Sequence, residues 1–367
     1  MAPDRVAVIF GGRSSEHEIS CVSAGSILQA LDPQRATAIP IGITRSGRWV
    51  LQDADPARLR IQDGELPTVE ERGPTVELVN DSQTPALRIE GRGVVPVDVA
   101  FPVLHGPWGE DGTVQGALEM AGLPYVGSGV AASAVAMDKG LMKALLREAG
   151  LPIGPSEVIT DEQWRADQAG CLDRATALGE VVFVKPARAG SSRGITRVSS
   201  SQGRSGIREA IDQARAHDPR VVVEAAIMGM REIECGVIVD LDAPWPARAS
   251  VCSEIVMRSP ERFYDFQAKY LEDVADLHVP ADLPVELSDR VRSMAVRAFA
   301  ALGCEGLARV DCFVEVDGSV LINEVNTMPG FTSISMFPRM WQASGLAYPE
   351  LVDHLIADAK RRGIRLR

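Results

Sequence analysis

A chain of 367 residues exceeds the size at which one hydrophobic core usually keeps growing, so two or three domains are expected. With 46% hydrophobic and 24% charged residues it has the balance of a soluble globular protein, and a formal net charge of -12 argues against nucleic acid or an anionic membrane as the main partner. Six cysteines without any C-x-x-C pair argue against a structural zinc site, and several lie in strand-like runs where a reduced thiol serves as a small apolar group.

The N-terminus leads into only five apolar residues, too few for a signal peptide, and no run approaches membrane-spanning length, so the cytoplasm is the expected compartment. The run Val6, Ala7, Val8, Ile9, Phe10 reads as a buried parallel strand, and Gly11, Gly12 and the polar residues Ser14 to Glu16 read as a turn into a helix. Strands at 38–43 and 97–103, with helices near 22–31 and 114–121, predict an open α/β N-terminal domain. Between 52 and 95 the chain is rich in Pro, Gly and charge, with short alternating runs that suggest a small β-meander or an irregular insertion. The turn-rich stretch 122–132 marks a crossing into a second domain. Asp138 reads as the N-cap of a helix from 139 to about 149, ended by Gly150. Strands at 181–185, 194–198 and 221–224, with a helix at 207–216, predict a small α+β unit. From 233 onward come long strands, a helix at 287–302, a hairpin and a final helix at 349–360. The expected division is 1–127, 128–232 and 233–367.

The hairpin carries the most chemistry. The runs 307–314 and 320–326 are β-branched-rich and flank Asp317 and Gly318, a strong turn signal. A turn at those two residues sets Asp311 opposite Glu324 and Arg309 opposite Asn326, all four on one face. Two opposed carboxylates repel, so a cation should sit between them. The oxygen-only ligand set of Asp311, Glu324 and Asn326 favours a hard ion such as Mg²⁺, which usually completes its shell with water and substrate phosphates. The alternative is a solvated face whose charges pair with Arg309.

No Walker P-loop is present, so a nucleotide would need another cradle. Lys185 ends an apolar strand, where a buried ammonium wants an anionic partner such as phosphate, or else snorkels from the strand end. The segment 190–194, Gly-Ser-Ser-Arg-Gly, could close backbone N–H groups over phosphates or form a plain hairpin turn. Lys139 adds a second positive group unless solvated. Glu224, with Glu232 and Glu234 beyond a glycine turn, could read adenine and ribose or form a surface acidic cluster. Glu16 and His105 each follow an apolar strand of the first sheet, at the edge where open α/β sheets bind ligands. The aromatic stretch 263–270, with Lys269 and Tyr270, could exclude water from a site or merely pack a long connection.

These pieces, in this order, resemble the D-alanine–D-alanine ligase family of the ATP-grasp fold. The matching runs are GGRSSEHEIS from Gly11, HGPWGEDG from His105, MDK from Met137 and KPARAGSSRG from Lys185. They continue with FYDFQAKY from Phe263, RVD from Arg309 and NEVNTMPGFTSIS from Asn323, and cover nearly the whole chain. The resemblance implies an ATP-grasp fold preceded by an open parallel-sheet N-terminal domain, and an activity in which ATP drives the joining of two D-alanines, through a D-alanyl phosphate, for peptidoglycan. By similarity Glu16 binds the first amine, and Glu16, Ser191 and Tyr270 form a hydrogen-bonded set. Arg309 and the Gly330 backbone stabilise the oxyanion, and His105, Ser335 and Lys269 serve the substrates, with Ser335 on the second carboxylate. Lys139, Lys185 and Lys269 contact phosphates. Glu224 lies at the adenine and Glu232 at the ribose, while Ala225 and Ala226 after Glu224 depart from the usual charged residue and leave adenine contacts to the backbone at Ala226 and Ile227. Asp311, Glu324 and Asn326 hold two Mg²⁺ ions, replaceable by Mn²⁺. The resemblance also suggests a homodimer. The rival readings are an ester-forming ligase using D-lactate, another ATP-grasp carboxylate–amine ligase, and a nucleotide-binding regulator without catalysis. The adjacent Lys269 and Tyr270 favour the dipeptide over the ester, and a regulator has no need of Arg309, Ser191 and Tyr270 together.

Overall fold

The computed structural model describes residues 2–243, 247–258 and 275–364. The chain opens with β1 (Asp4–Gly11), α1 (His17–Ala30), β2 (Ala36–Ile43) and β3 (Trp49–Leu51). Three short strands, β4 (Val76–Val79), β5 (Ala86–Ile89) and β6 (Gly93–Pro96), then form an antiparallel meander before β7 (Val99–Pro102) rejoins the first sheet. That sheet runs β3-β2-β1-β7, with β1 parallel to β2 and β7 and β3 antiparallel at the edge. The stretch 52–95 thus contains the meander. Covering both faces explains the unbroken apolar run of β1. Val6, Val8 and Phe10 share a core with Cys21, Ala24 and Ile27 of α1, while Ala7 and Ile9 share one with Leu87 and Ile89 of the meander.

Helices α2 (Thr113–Met120), α3 (Val130–Met137) and α4 (Lys139–Glu148) follow. The crossing read at 122–132 runs directly into the first turn of α3. Helix α4 starts where its cap predicts, the Asp138 carboxylate accepting the N–H groups of Gly140 at 3.0 Å and Leu141 at 3.1 Å. Next come β8 (Ser156–Ile159), α5 (Asp161–Ala166), α6 (Gln168–Thr176), β9 (Val181–Pro186), β10 (Thr196–Ser199), α7 (Gly203–Arg215) and β11 (Val221–Ala225). Their four strands make an antiparallel sheet ordered β10-β9-β11-β8.

The third sheet contains β12 (Arg231–Ile238), β13 (Arg248–Met257) and β14 (Ala275–His278), then, after α8 (Val285–Ala301), β15 (Leu307–Val314) and β16 (Val320–Asn326). It is antiparallel throughout, ordered β14-β13-β12-β15-β16. Val291, Ala295 and Phe299 of α8 share a core with Ile233, Cys235, Val310, Cys312 and Ile322 on one face of the sheet; on the other, Ile238 and Leu307 enter a second core and the polar residues lie beyond them. Helices α9 (Met336–Ala343) and α10 (Tyr348–Arg362) complete the fold. The Phe331 ring stands 5.6 Å from Phe101 of β7, so the first and third sheets meet through a shared core. All six cysteines are buried free thiols.

The hairpin reaches its expected register by an unexpected route. Its turn is a three-residue loop, with Gly318 donating to the Glu315 carbonyl at 3.0 Å and Glu315 donating to Ser319 at 2.9 Å. Gly318 takes φ +83°, the left-handed position such a loop assigns to glycine. This shifts the near-turn pairs by one, so that Cys312 faces Ile322 and Val314 faces Val320. A bulge at Asn323 restores the offset, and beyond it Asp311 faces Glu324 and Arg309 faces Asn326 as expected.

Candidate active site

On β15, Val310 and Cys312 are fully buried, while Arg309 and Asp311 lie half-buried on the opposite face. The neighbouring strand extends this polar row, since Glu234 of β12 is directly opposite Asp311. Three carboxylates therefore stand side by side across β12, β15 and β16: Glu234, Asp311 and Glu324. Arg309 is the counter-charge of the first two. Its Nε donates to Asp311 Oδ1 at 2.7 Å and lies 3.1 Å from Glu234 Oε1, and its Nη2 donates to Asp311 Oδ2 at 2.7 Å. Burial acts to lower the guanidinium's pKa, but Asp311 and Glu234 outweigh it and hold Arg309 well above its usual value. The Asn326 amide donates to Asp311 at 3.0 Å, which leaves its carbonyl oxygen for another partner.

The second sheet and α4 supply the cations. Lys185 at the end of β9 donates to Glu224 Oε2 at 2.6 Å, and Lys143, one turn after Lys139 on α4, reaches Glu224 Oε1 at 3.1 Å. Both oxygens of this buried carboxylate are thus occupied by ammonium groups. Burial pushes Glu224 up, yet Lys185 and Lys143 pull it down to about 2. Burial likewise acts to lower Lys185, and Glu224 more than offsets it, so the ammonium is raised. Lys139 donates to the Ala189 carbonyl at 2.9 Å and lies 4.0 Å from Glu324 Oε2, which joins the lysine cluster to the carboxylate row. Glu232 of β12 adds its charge near Lys185. The Ala226 N–H is committed to the Val181 carbonyl at 2.9 Å, so contacts with a base would come from the Ala226 carbonyl or from Ile227.

From the first sheet, Glu16 accepts a short hydrogen bond from the Ser191 hydroxyl. Glycines enclose it: a Cβ at Gly106 would stand 2.5 Å from Glu16 Oε2, and one at Gly190 would stand 2.8 Å away. Ser191 and Ser192 adopt φ of +49° and +57°, so the loop after β9 is bent in a way side chains rarely allow. His105 is buried with both ring nitrogens engaged, Nδ1 to the Met328 carbonyl at 3.0 Å and Nε2 to Ser23 Oγ at 3.1 Å. Burial lowers its pKa. Gly330 follows on the same loop, and Ser335 stands at the start of α9 with its Oγ 2.7 Å from Thr332 Oγ1 and no capping hydrogen bond to the helix. Lys269 and Tyr270, with the stretch 263–270, lie outside the described residues.

Lys143 and Glu110 gain a place that the sequence does not announce, and Glu234, read as part of a nucleotide-facing or surface acidic cluster, lies buried beside Arg309 and Asp311 instead. The signal for Lys143 is its helical spacing from Lys139, and for Glu234 its in-face position on β12. Glu110 accepts the N–H of Gly106 at 2.7 Å and of Met328 at 3.1 Å, tying the HGPWGEDG turn to the loop after β16. Burial, and then the charge of Glu16, push Glu110 up to about 8. A carboxyl that holds its proton in the fold contributes stability that is complete below its unfolded pKa and lost as pH rises through the folded value. Melting temperature followed from pH 5 to 9 is therefore expected to fall less steeply for Glu110→Gln than for the unaltered protein, and parallel curves would refute the assignment.

The site combines a carboxylate bonded to a serine hydroxyl, a lysine cluster suited to polyphosphate, a carboxylate row and a guanidinium. Similarity to known proteins is consistent with this inventory. Residues 5–128 match the model described as D-ala D-ala ligase N-terminus, and residues 145–357 match D-ala D-ala ligase C-terminus. The D-alanine--D-alanine ligase of Kineococcus radiotolerans is 53% identical over 375 residues, covering 99% of this chain and 98% of that protein. The protein of the same name from Mycolicibacterium smegmatis is 52% identical over 374 residues, covering 99% and 97%. Among solved structures, the D-alanine-D-alanine ligase of Coxiella burnetii superposes with TM-score 0.83 at 33% identity, covering 99% of this chain and 95% of that one. VanG D-Ala:D-Ser ligase from Enterococcus faecalis also gives 0.83, at 35% identity, covering 97% and 99%.

Proposed function

The chain belongs to the D-alanine–D-alanine ligase family, and from that premise we propose that it joins two D-alanines at the expense of ATP, forming D-alanyl-D-alanine, ADP and phosphate for peptidoglycan precursors. The observation that carries the reading is the convergence of three sheets on one place. Glu16 of the first meets Ser191 of the second, and Lys139 bridges Ala189 to Glu324 of the third.

In this reading Glu16, oriented by Ser191, receives the ammonium of the first D-alanine and aims its carboxylate at the γ-phosphate. The carboxylate oxygen forms a bond to phosphorus as the bond to ADP breaks, leaving a D-alanyl phosphate. Lys139 and Lys185 hold the phosphates, with Lys269 assigned the same task, and the backbone at Ala226 and Ile227 with Glu224 and Glu232 frames the nucleoside. The second D-alanine, its carboxylate at Ser335, attacks the acyl carbon through its amine and phosphate leaves. Arg309 and the Gly330 N–H meet the tetrahedral oxyanion between these steps. His105 holds the Met328 loop, which carries Gly330, against α1, and Tyr270 completes the set around Ser191.

The carboxylates of Asp311 and Glu324 and the carbonyl of Asn326 are an all-oxygen donor set that fits a hard divalent ion. Among the described residues no three His, Cys, Asp or Glu side chains form a ready metal cage. Mg²⁺ is usually held by one or two carboxylates, with substrate phosphates completing its shell. Two Mg²⁺ ions there, or Mn²⁺ in their place, would neutralise charge on the transferring phosphoryl group. We carry the division 1–127, 128–232 and 233–367, a homodimer and a cytoplasmic location as parts of the same proposal. The separate sheets support the division, although β12 starts two residues before its last border. Among the described residues no helix is long and apolar enough to cross a membrane.

The test is phosphate release from ATP and Mg²⁺ with D-alanine alone and with D-alanine plus D-serine or D-lactate. Release that depends on D-alanine alone is expected. Release only with a second, different acceptor would select another member of the family's chemistry. A folded protein that binds ATP and releases no phosphate in any arm would defeat the proposal.

A further inference from the structure

Asp311 has two tasks that compete. In the structure both its oxygens are engaged by Arg309, at 2.7 Å each. As a metal ligand, the same carboxylate must give at least one oxygen to a divalent cation, and that cation repels a guanidinium two residues away on the same strand face. Without another anchor, Arg309 would be displaced at the moment the reaction needs it.

Glu234 supplies that anchor. It belongs to a different strand, lies directly opposite Asp311, and is only 4% exposed. Its Oε1 stands 3.1 Å from the same Arg309 Nε that bonds Asp311, so the guanidinium is flanked by two carboxylates rather than one. The cross-strand pairing places these side chains about 5 Å apart at Cβ, close enough for one to take over as the other turns away. Gly236, the next in-face residue of β12, pairs with Arg309 and brings no side chain against it.

We propose that Glu234 is a positioning residue that holds Arg309 in place when Asp311 turns to the metal, so that metal binding and oxyanion stabilisation operate together. This rests on the reading of Asp311 as a metal ligand. It goes beyond that reading by assigning the residue that makes one carboxylate's double duty workable.

The experiment is Mn²⁺ binding, followed by the paramagnetic resonance of free Mn²⁺, in the presence of a saturating non-hydrolysable ATP analogue, for the unaltered protein, Glu234→Gln and Glu234→Asp. Supporting partners of metal ligands are typically worth 10- to 100-fold in affinity or activity, so Glu234→Gln is expected to weaken Mn²⁺ by about tenfold and to lower kcat by at least as much. Affinity for the analogue without metal should not change, and Glu234→Asp should recover part of both losses. Unchanged Mn²⁺ affinity in folded Glu234→Gln overturns the proposal, as does an equal loss of analogue binding without metal. A measurement on the unaltered protein needs no variant to fold: the Arg309 Nε–H proton, followed by nitrogen-15 resonance, should stay protected from exchange when Mg²⁺ and analogue are added. Loss of that protection also overturns it. Failure of the unaltered protein to bind Mn²⁺ with the analogue, or to release phosphate with D-alanine, would instead count against the proposed function.

Discussion

Arg309→Lys is expected to lower kcat by about 10²- to 10³-fold, the usual cost of removing one preorganised oxyanion donor, while the KM for ATP changes little. The substitution keeps a positive charge among Glu234, Asp311 and Glu324, so the carboxylate row does not lose its counter-ion and the fold should survive. What disappears is the planar fork. Arg309 binds Asp311 through Nε and Nη2 together and reaches Glu234 from the same Nε, and a single ammonium cannot reproduce that geometry. Arg309→Met would add a stability loss of about 3–5 kcal/mol, because it strands buried carboxylates without their partner. Steady-state kinetics and urea unfolding of both variants separate the two effects. A Lys variant with near-normal kcat would remove Arg309 from the reaction centre, whatever its role in the fold.

Much of this site is legible in the sequence, for reasons that differ from part to part. β1, β9 and β15 are legible because burial on one or both faces forces apolar residues into fixed periods, and their polar exceptions, such as Lys185, Arg309 and Asp311, then stand out as functional. Asp138 announced α4 because an N-cap carboxylate is a local device that needs no tertiary context. The hairpin register is more instructive. The expected pairing at Asp311 and Glu324 is present, but the two-residue turn that predicted it is not, and the bulge at Asn323 compensates. In the fold, Val320 and Ile322 are buried with period two and Val325 breaks it, a pattern that the apolar Leu321 between them hides in the sequence.

Other features depend on contacts that no local pattern announces. β8 is a sheet edge whose residues are mostly half-buried, so it lacks an apolar signal, and α9 begins among Ser335, Met336 and Pro338 where a loop reads equally well. The role of the meander is similarly non-local: Leu87 and Ile89 matter because they cover the second face of β1. Glu224 and Lys143 are 81 positions apart by their numbering, and nothing in either segment shows that one carboxylate will serve two lysines. A reading from sequence therefore places Glu224 beside a nucleotide but misses that its own oxygens are already occupied.

That arrangement makes the removal of Glu224 costly to stability. Its pKa falls from 4.5 to about 2 in the fold, a difference worth roughly 3 kcal/mol at about 1.4 kcal/mol per unit. The sign follows from the depressed value. The stabilisation is complete above the unfolded pKa near 4.5 and is lost as pH falls through the folded value near 2. Glu224→Gln removes it at all pH values above that window and also leaves Lys143 and Lys185, with side chains only 5% and 14% exposed, without their shared counter-ion. Breaking such a buried pair typically costs about 3–5 kcal/mol, and that is the loss expected in urea unfolding at pH 7. The difference between variant and unaltered protein should then narrow as pH is lowered from about 5 toward 3. The coupling has its own signature: Lys143→Met should cost less in the Glu224→Gln background than alone, by about 1 kcal/mol or more, because its partner is already gone. Additive losses, or a difference that stays constant down to pH 3, would show that Glu224 is not held by the two lysines, and the electrostatic account of the nucleotide cradle would fail with it.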